Sequence, residues 1–464
     1  MFKKVLVANR GEIAVRIIRA LRELEIPSVA IYSDTDKNSL HSLYADYSFS
    51  LNGYRANETY MNMEKILNIA LRENVDAVHP GYGFLSENEE FAYMLEQSGI
   101  TFIGPDSKTI ELMGNKIAAK KMMKEAGVPI VPGSVGAVEC LEEALGIAES
   151  IGYPLLIKAA AGGGGIGMKI VRNAEELSEM FERVQKQAAS VFGDKSVFLE
   201  KGLENAKHIE FQILADKHGN IVHLGDRECS IQRRYQKIVE ESPAPTIDND
   251  TRNKMGEVAV AIGKTVGYSS AGTVEFIFCD GKFYFLEMNT RLQVEHPVTE
   301  MLTGIDIVKS QIKIAAGIAL PFKQDEIVFR GHAMECRICA EDPFNGFMPS
   351  PNIITGYRSP GGIGVRVDSG VHYNFEVSTY FDSMISKLVV WGENRKEAIS
   401  RMRRALYEYI ILGPVTNIPY LSAVMENSVF RSGEYNTKFV EQEKDVFEIA
   451  KKFDMNSPNA RAKL

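Results

Sequence analysis

Short apolar runs alternate with amphipathic stretches through the N-terminal part of the chain. Val5–Ala8 predicts a strand, and Gly11–Leu24 a helix, because Ile13, Ile17, Ile18, Leu21 and Leu24 recur on one face. Pro27 ends that helix, and Val29–Tyr32 predicts the next strand. Met61–Arg72 and Asn88–Gln97 predict helices, Asp76–His79 and Ile100–Ile103 strands. Repeated β-α-β units of this length predict a parallel, doubly wound sheet. Ligands of such sheets gather at the carboxyl ends of the strands, where Asn9-Arg10-Gly11-Glu12 and His79-Pro80-Gly81-Tyr82-Gly83-Phe84 fall. Asp106–Ala126 predicts one or two helices, and a smaller unit follows from Val135 to Leu203. Beyond it the pattern turns antiparallel: His208–Asp216, a turn at Gly219-Asn220, Ile221–Gly225, and a hairpin over Thr273–Met288. From about Val440 the chain is polar and charged, which predicts a poorly ordered end.

Length and charge narrow the function classes. A chain of 464 residues exceeds one ordinary domain and predicts several packed subdomains. No apolar run approaches the ~20 residues of a membrane span. Met1-Phe2-Lys3-Lys4 leads straight into the first strand, unlike a signal or transit peptide, so a soluble cytoplasmic protein with no membrane partner is expected. The net charge of −8, from 53 basic and 61 acidic residues, argues against a nucleic-acid surface. The cysteines, Cys140, Cys229, Cys279, Cys336 and Cys339, are scattered and expected to be reduced. Cys336-Arg337-Ile338-Cys339 has CxxC spacing but reads as strand, without a second pair to complete a zinc site.

Two stretches carry chemistry. The apolar strand Tyr153–Lys158 leads into Gly162-Gly163-Gly164-Gly165-Ile166-Gly167, and the strand-like run Met168–Arg172 follows. A dinucleotide fingerprint needs a helix there, so this loop predicts a flap whose backbone N–H groups close over phosphates. Lys158 would reach the same phosphates. In Thr273–Asn289 alternation puts Val274, Phe276, Phe278, Tyr284, Leu286 and Met288 on an apolar face. With a three-residue loop Cys279–Gly281, Glu275, Glu287 and Asn289 project together from the other side. Two carboxylates and an amide suit a hard divalent cation bound with nucleotide phosphates. If Thr290–Pro297 continues extended, Arg291, Gln293 and Glu295 point to the same side.

Glu287-Met288-Asn289-Thr290-Arg291-Leu292-Gln293-Val294-Glu295-His296-Pro297 resembles the signature of biotin carboxylases. The resemblance runs through Ala8–Ile13, His79–Asn88, Glu228–Arg234 and Gly331–Arg337, over nearly the whole chain. It implies an α/β protein with the ATP-grasp fold. Its expected parts are an N-terminal doubly wound α/β domain over 1–113, an ATP-grasp domain over 114–320 with a mobile lid at about 135–203, a C-terminal mixed α+β domain over 331–440, and a polar tail over 441–464. By the same resemblance Lys116, Lys158, Gly163, Gly164 and Gly165 meet the ATP phosphates. Glu200, Lys201 and Leu203 match the hinge that receives adenine, and His208 and Gln232 lie near ribose and phosphate. Glu275, Glu287 and Asn289 match ligands of Mg²⁺ or Mn²⁺. Lys237, Arg291, Gln293 and Val294 match a bicarbonate pocket, Glu295 a general base, and Arg337 and Tyr82 neighbours of biotin.

The implied reaction attacks the γ-phosphate with bicarbonate, forms carboxyphosphate and transfers CO₂ to biotin. The chain lacks an Ala-Met-Lys-Met biotin-attachment motif, so biotin is expected on a separate biotin carboxyl carrier protein, with a carboxyltransferase completing the cycle. Acetyl-CoA, and hence fatty acid biosynthesis, is the default acceptor, with pyruvate or another acyl-CoA next. Arg19, Glu23 and Arg366 match a family homodimer contact, where Ile363 stands in a position that is often aromatic. Tyr235, Ile166 and Ala161 also depart from the family pattern, in the nucleotide region. The flap and hairpin alone would equally fit another ATP-grasp ligase that activates a carboxylate for an amine. A catalytically silent regulatory protein is the alternative from another class; every catalytic-type position, however, carries a competent side chain.

Overall fold

The computed structural model describes residues 1–134, 136–159, 168–192 and 195–456. The N-terminal strands are β1 (Val5–Val7), β2 (Ser28–Tyr32), β3 (Tyr47–Ser50), β4 (Ala77–His79) and β5 (Thr101–Phe102). They form a five-stranded parallel sheet of order β3-β2-β1-β4-β5. The order reverses between β1 and β4, so the loops leaving these two strands border a crevice. Asn9 closes it by donating to Pro80 O at 2.7 Å and Tyr82 O at 2.8 Å. Helix boundaries follow the caps. Asn62, Asn88 and Asp106 each accept from a first-turn N–H, so helices begin one residue later, at Met63, Glu89 and Ser107. Asn115 ends Ser107–Gly114 and caps Lys116–Glu125, so the predicted helical region is two helices.

The small unit is a three-stranded sheet, β6 (Leu155–Ala159), β7 (Met168–Val171) and β8 (Val197–Lys201), in the order β7-β6-β8. Helices Leu141–Ile151 and Ala174–Phe192 cover it. β6 and β7 are antiparallel, with Lys158 opposite Met168, as a flap requires. The glycine run itself, with Gly163, Gly164, Gly165, Ala161 and Ile166, lies outside the described residues.

The centre of the molecule is an eight-stranded antiparallel sheet. Its strands are β9 (Lys207–Ala215), β10 (Ile221–Arg233), β11 (Gln236–Ser242), β12 (Ser270–Cys279), β13 (Lys282–Asn289), β14 (His332–Cys339), β15 (Val365–Ser369) and β16 (Met384–Gly392). Their order is β13-β12-β9-β10-β11-β14-β16-β15, so one sheet joins the acidic hairpin to the C-terminal part. The Cys336–Cys339 run is the end of β14.

Three expectations need correction. The β12–β13 turn is two residues, Asp280 and Gly281, both with positive φ, and Cys279 pairs with Lys282. The extra residue sits instead in a bulge at Leu286, between the pairs Phe276–Phe285 and Glu275–Glu287. Phe285 therefore lies in the core, with Phe283 packed against it, in place of Tyr284 and Leu286. Second, Thr290–Glu295 is not a strand: Glu295 is the N-cap of helix His296–Thr303, whose early Pro297 suits a helix start. Third, the polar end forms helices Phe439–Gln442 and Asp445–Asn456, with Val446 and Ala450 buried in the C-terminal core. Among the described residues no helix is long and apolar enough to cross a membrane.

Candidate active site

The bulge decides the geometry of the acidic hairpin. It sets Glu275 directly opposite Glu287, and Thr273 opposite Asn289, so the three predicted ligand side chains share one face. Asn289 Nδ2 donates to Glu275 Oε1 at 2.9 Å, and Lys116 Nζ lies 2.9 Å from Glu287 Oε2. Two carboxylates and an amide oxygen on one face, all hard oxygen donors, fit a hard divalent cation.

Lys237, on β11, is the hub. Its Nζ donates to Glu210 at 2.6 Å, Glu275 at 2.9 Å and Glu295 at 2.6 Å. Glu210 and Glu275 are opposite one another on β9 and β12, so strand pairing alone aims both at Lys237. Among the described residues His208, Glu210 and Glu275 cluster tightly enough to hold a metal, as do Glu210, Cys229 and Glu295. The Lys237 ammonium already bonds the carboxylates of both groups. Burial disfavours the charge on Lys237, but Glu210, Glu275 and Glu295 raise its pKa well above the ordinary value. Burial also opposes ionisation of Glu275 and Glu295. Lys237 and His208 outweigh it for Glu275, and Lys237, Arg337 and Arg227 for Glu295, holding both carboxyls well below the usual range.

The turn after β13 brings the remaining groups in without extended backbone. Arg291 donates through Nε to Glu87 at 2.9 Å, through Nη1 to Gln293 at 2.7 Å and through Nη2 to Asn289 at 3.1 Å. Gln293 Nε2 donates to Glu275 at 3.0 Å. Arg337, on β14, bridges Glu295 Oε2 at 3.0 Å and Glu240 Oε1 at 2.6 Å. Val294 O accepts from Lys387 at 2.8 Å. Lys387 also lies 3.2 Å from Glu12 Oε2 and over the Tyr82 ring, while the Tyr82 hydroxyl donates to Glu12.

Among the residues expected to meet the nucleotide, His208 Nε2 lies 3.0 Å from Glu275 and its Nδ1 is 2.9 Å from Gln232 Nε2. Glu200 pairs with both Lys158 and Lys120. Lys201 Nζ donates to the carbonyls of Gly152 and Tyr153, tying β8 to the start of β6, and Leu203 is half-buried just beyond. Tyr235 is exposed at the β10–β11 turn, with a φ of +66° that suits Asn better than an aromatic residue.

Sequence reasoning missed Glu87, Glu210, Arg227 and Glu240. Arg227 is fully buried and donates to Glu210 at 2.6 Å, Gln212 at 2.8 Å, Thr299 at 2.9 Å and Thr273 at 3.1 Å, bracing the floor of the site. A signal existed for Glu210, a charge set between Ile209 and Phe211 in a largely apolar strand, since buried charges are paired.

Known proteins match the chain over nearly its whole length. Residues 1–110 match the family described as biotin carboxylase, N-terminal domain, and 335–442 the biotin carboxylase C-terminal domain. Residues 115–323 match the ATP-binding domain of the carbamoyl-phosphate synthase L chain. The chain is 55% identical over 442 residues to a pyruvate carboxylase subunit of Methanothermobacter thermautotrophicus, covering 95% of this chain and 90% of that one. It is 52% identical over 443 residues to biotin carboxylase 1 of Bacillus subtilis, covering 95% and 98%. Among solved structures, the biotin carboxylase domain dimer of Hydrogenobacter thermophilus 2-oxoglutarate carboxylase, in complex with MgADP, ADP and bicarbonate, superposes with a TM-score of 0.91. It is 52% identical, over 96% of this chain and 99% of that one. Matched in all three parts and about half identical to these proteins over nearly its whole length, the chain belongs to the biotin carboxylase family, ATP-dependent ligases of the ATP-grasp fold.

Proposed function

We propose that this chain uses ATP and bicarbonate to carboxylate biotin borne on a separate carrier protein, the first half-reaction of a biotin-dependent carboxylase. The observation that carries the reading is Glu295 held between Lys237 and Arg337, beside Arg291 and the Glu275–Glu287 pair. Lys237, Arg291, Gln293 and the Val294 backbone hold bicarbonate, an anion and a weak nucleophile. Glu295 takes its proton as the oxyanion attacks the γ-phosphate. Glu275, Glu287 and Asn289 would hold Mg²⁺ or Mn²⁺, which supplies charge neutralisation for the phosphates when bound. Lys116, Lys158 and the flap at Gly163–Gly165 cover the phosphates, with adenine against Glu200, Lys201 and Leu203, and His208 and Gln232 beside the ribose. Arg337 offsets the negative charge developing on the biotin ring, which Tyr82 flanks.

The chain divides into an N-terminal domain over 1–113, an ATP-grasp domain over 114–320 whose lid spans about 135–203, and a C-terminal domain from 331. A cytoplasmic homodimer, with Arg19, Glu23, Arg366 and the 86% exposed Ile363 at its contact, works with a biotin carboxyl carrier protein and a carboxyltransferase. Acetyl-CoA is the first-choice final acceptor. Pyruvate is the second, favoured by the 55% identity to a pyruvate carboxylase component.

The test is ADP release from Mg-ATP and bicarbonate, with and without free biotin. Biotin stimulates release by the native chain, and Glu295→Gln removes the stimulation by at least about 100-fold. ATP cleavage indifferent to biotin would instead point to an ATP-grasp ligase acting on another carboxylate.

A further inference from the structure

Behind Arg337 the central sheet buries two acids face to face. Glu240 on β11 is directly opposite Glu335 on β14, and both are fully buried. Glu240 Oε1 accepts from Arg337 Nε at 2.6 Å, but its Oε2 has no hydrogen-bond partner. Neither carboxylate oxygen of Glu335 has one. The groups around Glu335 do not supply a counter-charge at bonding distance. Across β16, Lys387 donates to Val294 O and lies against Glu12. On its own strand Arg337 is engaged by Glu240 and Glu295. The helix His296–Thr303 lies over β14, bringing Glu295 at its cap and the buried His296, whose Nε2 has no hydrogen-bond partner and lies 3.9 Å from Glu300. The helices Arg395–Glu408 and Ile418–Val424 also contact β14, and both bring apolar side chains to the core that contains Met334, Cys336 and Ile338.

An ionised carboxylate cannot persist in such a place, and two adjacent ones still less. One proton removes the difficulty. A protonated Glu335 would be a donor, Glu240 Oε2 on the residue directly opposite is an unsatisfied acceptor, and a single O–H···O bond between them would give both carboxyls a partner. We propose that Glu335 is a positioning residue for biotin carboxylation: it keeps a proton that it shares with Glu240, so that Glu240 remains a carboxylate and fixes Arg337 toward the biotin site. Burial pushes both acids up, Glu240 to about 7 and Glu335 well above the ordinary carboxyl value, in keeping with one proton held between them. Loss of that proton leaves two anions beside Arg337, drawing the guanidinium back from Glu295 and from biotin. The inference rests on Arg337 as the biotin-facing cation.

The experiment compares ATP cleavage with and without free biotin across pH for the native chain, Glu335→Gln and Glu240→Gln. Gln at 335 copies the neutral, donating state. Glu335→Gln therefore folds and keeps biotin-dependent turnover within about threefold of native near neutral pH. In the native chain the ratio of biotin-dependent to biotin-independent cleavage falls on the alkaline side; in Glu335→Gln it stays flat. Glu240→Gln releases Arg337 and lowers that ratio at least about tenfold at every pH. The native-minus-Glu335→Gln infrared difference near neutrality contains the band of a protonated buried carboxyl. An unfolded Glu335→Gln, an unchanged alkaline fall, a difference spectrum without that band or an indifferent Glu240→Gln each overturns the proposal while leaving the biotin carboxylase reading intact. A native chain with no biotin stimulation overturns both.

Discussion

Because Lys237 and Arg337 both donate to Glu295, its carboxylate is ionised near neutral pH but is a weak base in the free chain. In the proposed reaction, bicarbonate beside Lys237 and Arg291 would take a share of the Lys237 ammonium, and the basicity of Glu295 would then rise. Glu241 has the opposite use. It accepts from His332 at 2.6 Å, from Arg395 at 2.7 and 2.9 Å, and from the Tyr435 hydroxyl. Burial opposes its charge, yet His332 and Arg395 hold its carboxyl down to about 2. Its unfolded form takes up a proton near 4.5, so between about pH 4.5 and 2 the unfolded chain binds more protons and stability falls as the pH falls. Glu241→Gln is expected to cost about 3 kcal/mol at pH 7, a gap that stays level down to about pH 4.5 and narrows below it. Urea unfolding across that range measures it, and a gap that widens in acid contradicts the assignment.

At the scale of elements, the hairpin shows how far a pattern reaches. Alternation identifies two strands and the shared face of Glu275 and Glu287, because a buried face admits few registers. It cannot locate the extra residue, since a three-residue turn and a two-residue turn with a bulge both leave the glutamates on one face. They differ in register, which puts Glu287 opposite Thr273 in the first and opposite Glu275 in the second, and in which aromatic residues point inward. In the structure Phe285 is 1% exposed and Leu286 is half-buried. Phe285→Ala should therefore cost about 3–5 kcal/mol, and Leu286→Ala no more than about 2 kcal/mol. Thermal or denaturant unfolding of the pair decides it, and the reverse ranking would restore the longer turn. The segment Arg291–Glu295 reads as extended in the sequence for a similar reason. Pro297, two residues past Glu295, is the available sign of a helix start, but period-two spacing of Arg291, Gln293 and Glu295 hides it.

Over the whole molecule, local periodicity carries the parallel N-terminal sheet, and motif resemblance carries the ATP-grasp fold. The buried charges Arg227, Glu240 and Glu335 are not legible. Arg227 pairs with Glu210 across the neighbouring strands β9 and β10, and Glu240 faces Glu335 across strands far apart in sequence; an isolated strand gives no hint of either neighbour. Composition misleads at the C-terminal end. Its charged residues lie on the outside of Asp445–Asn456, while Val446 and Ala450 fill one face and Phe447, Ile449 and Phe453 pack beside them. That helix packs against Ile418–Val424, on the same core that supports β14 and therefore Arg337. A chain ending at Lys444 is expected to lose at least about 3 kcal/mol of stability, since the uncovered apolar surface returns to water. If the end were a dispensable tail, the truncated chain would keep the native denaturant midpoint and full biotin-dependent turnover. If the helix closes the C-terminal core, the midpoint falls, and biotin-dependent turnover declines before biotin-independent ATP cleavage does, because the loosened core lies under Arg337 while Lys116, Lys158 and the acidic hairpin stand on other elements.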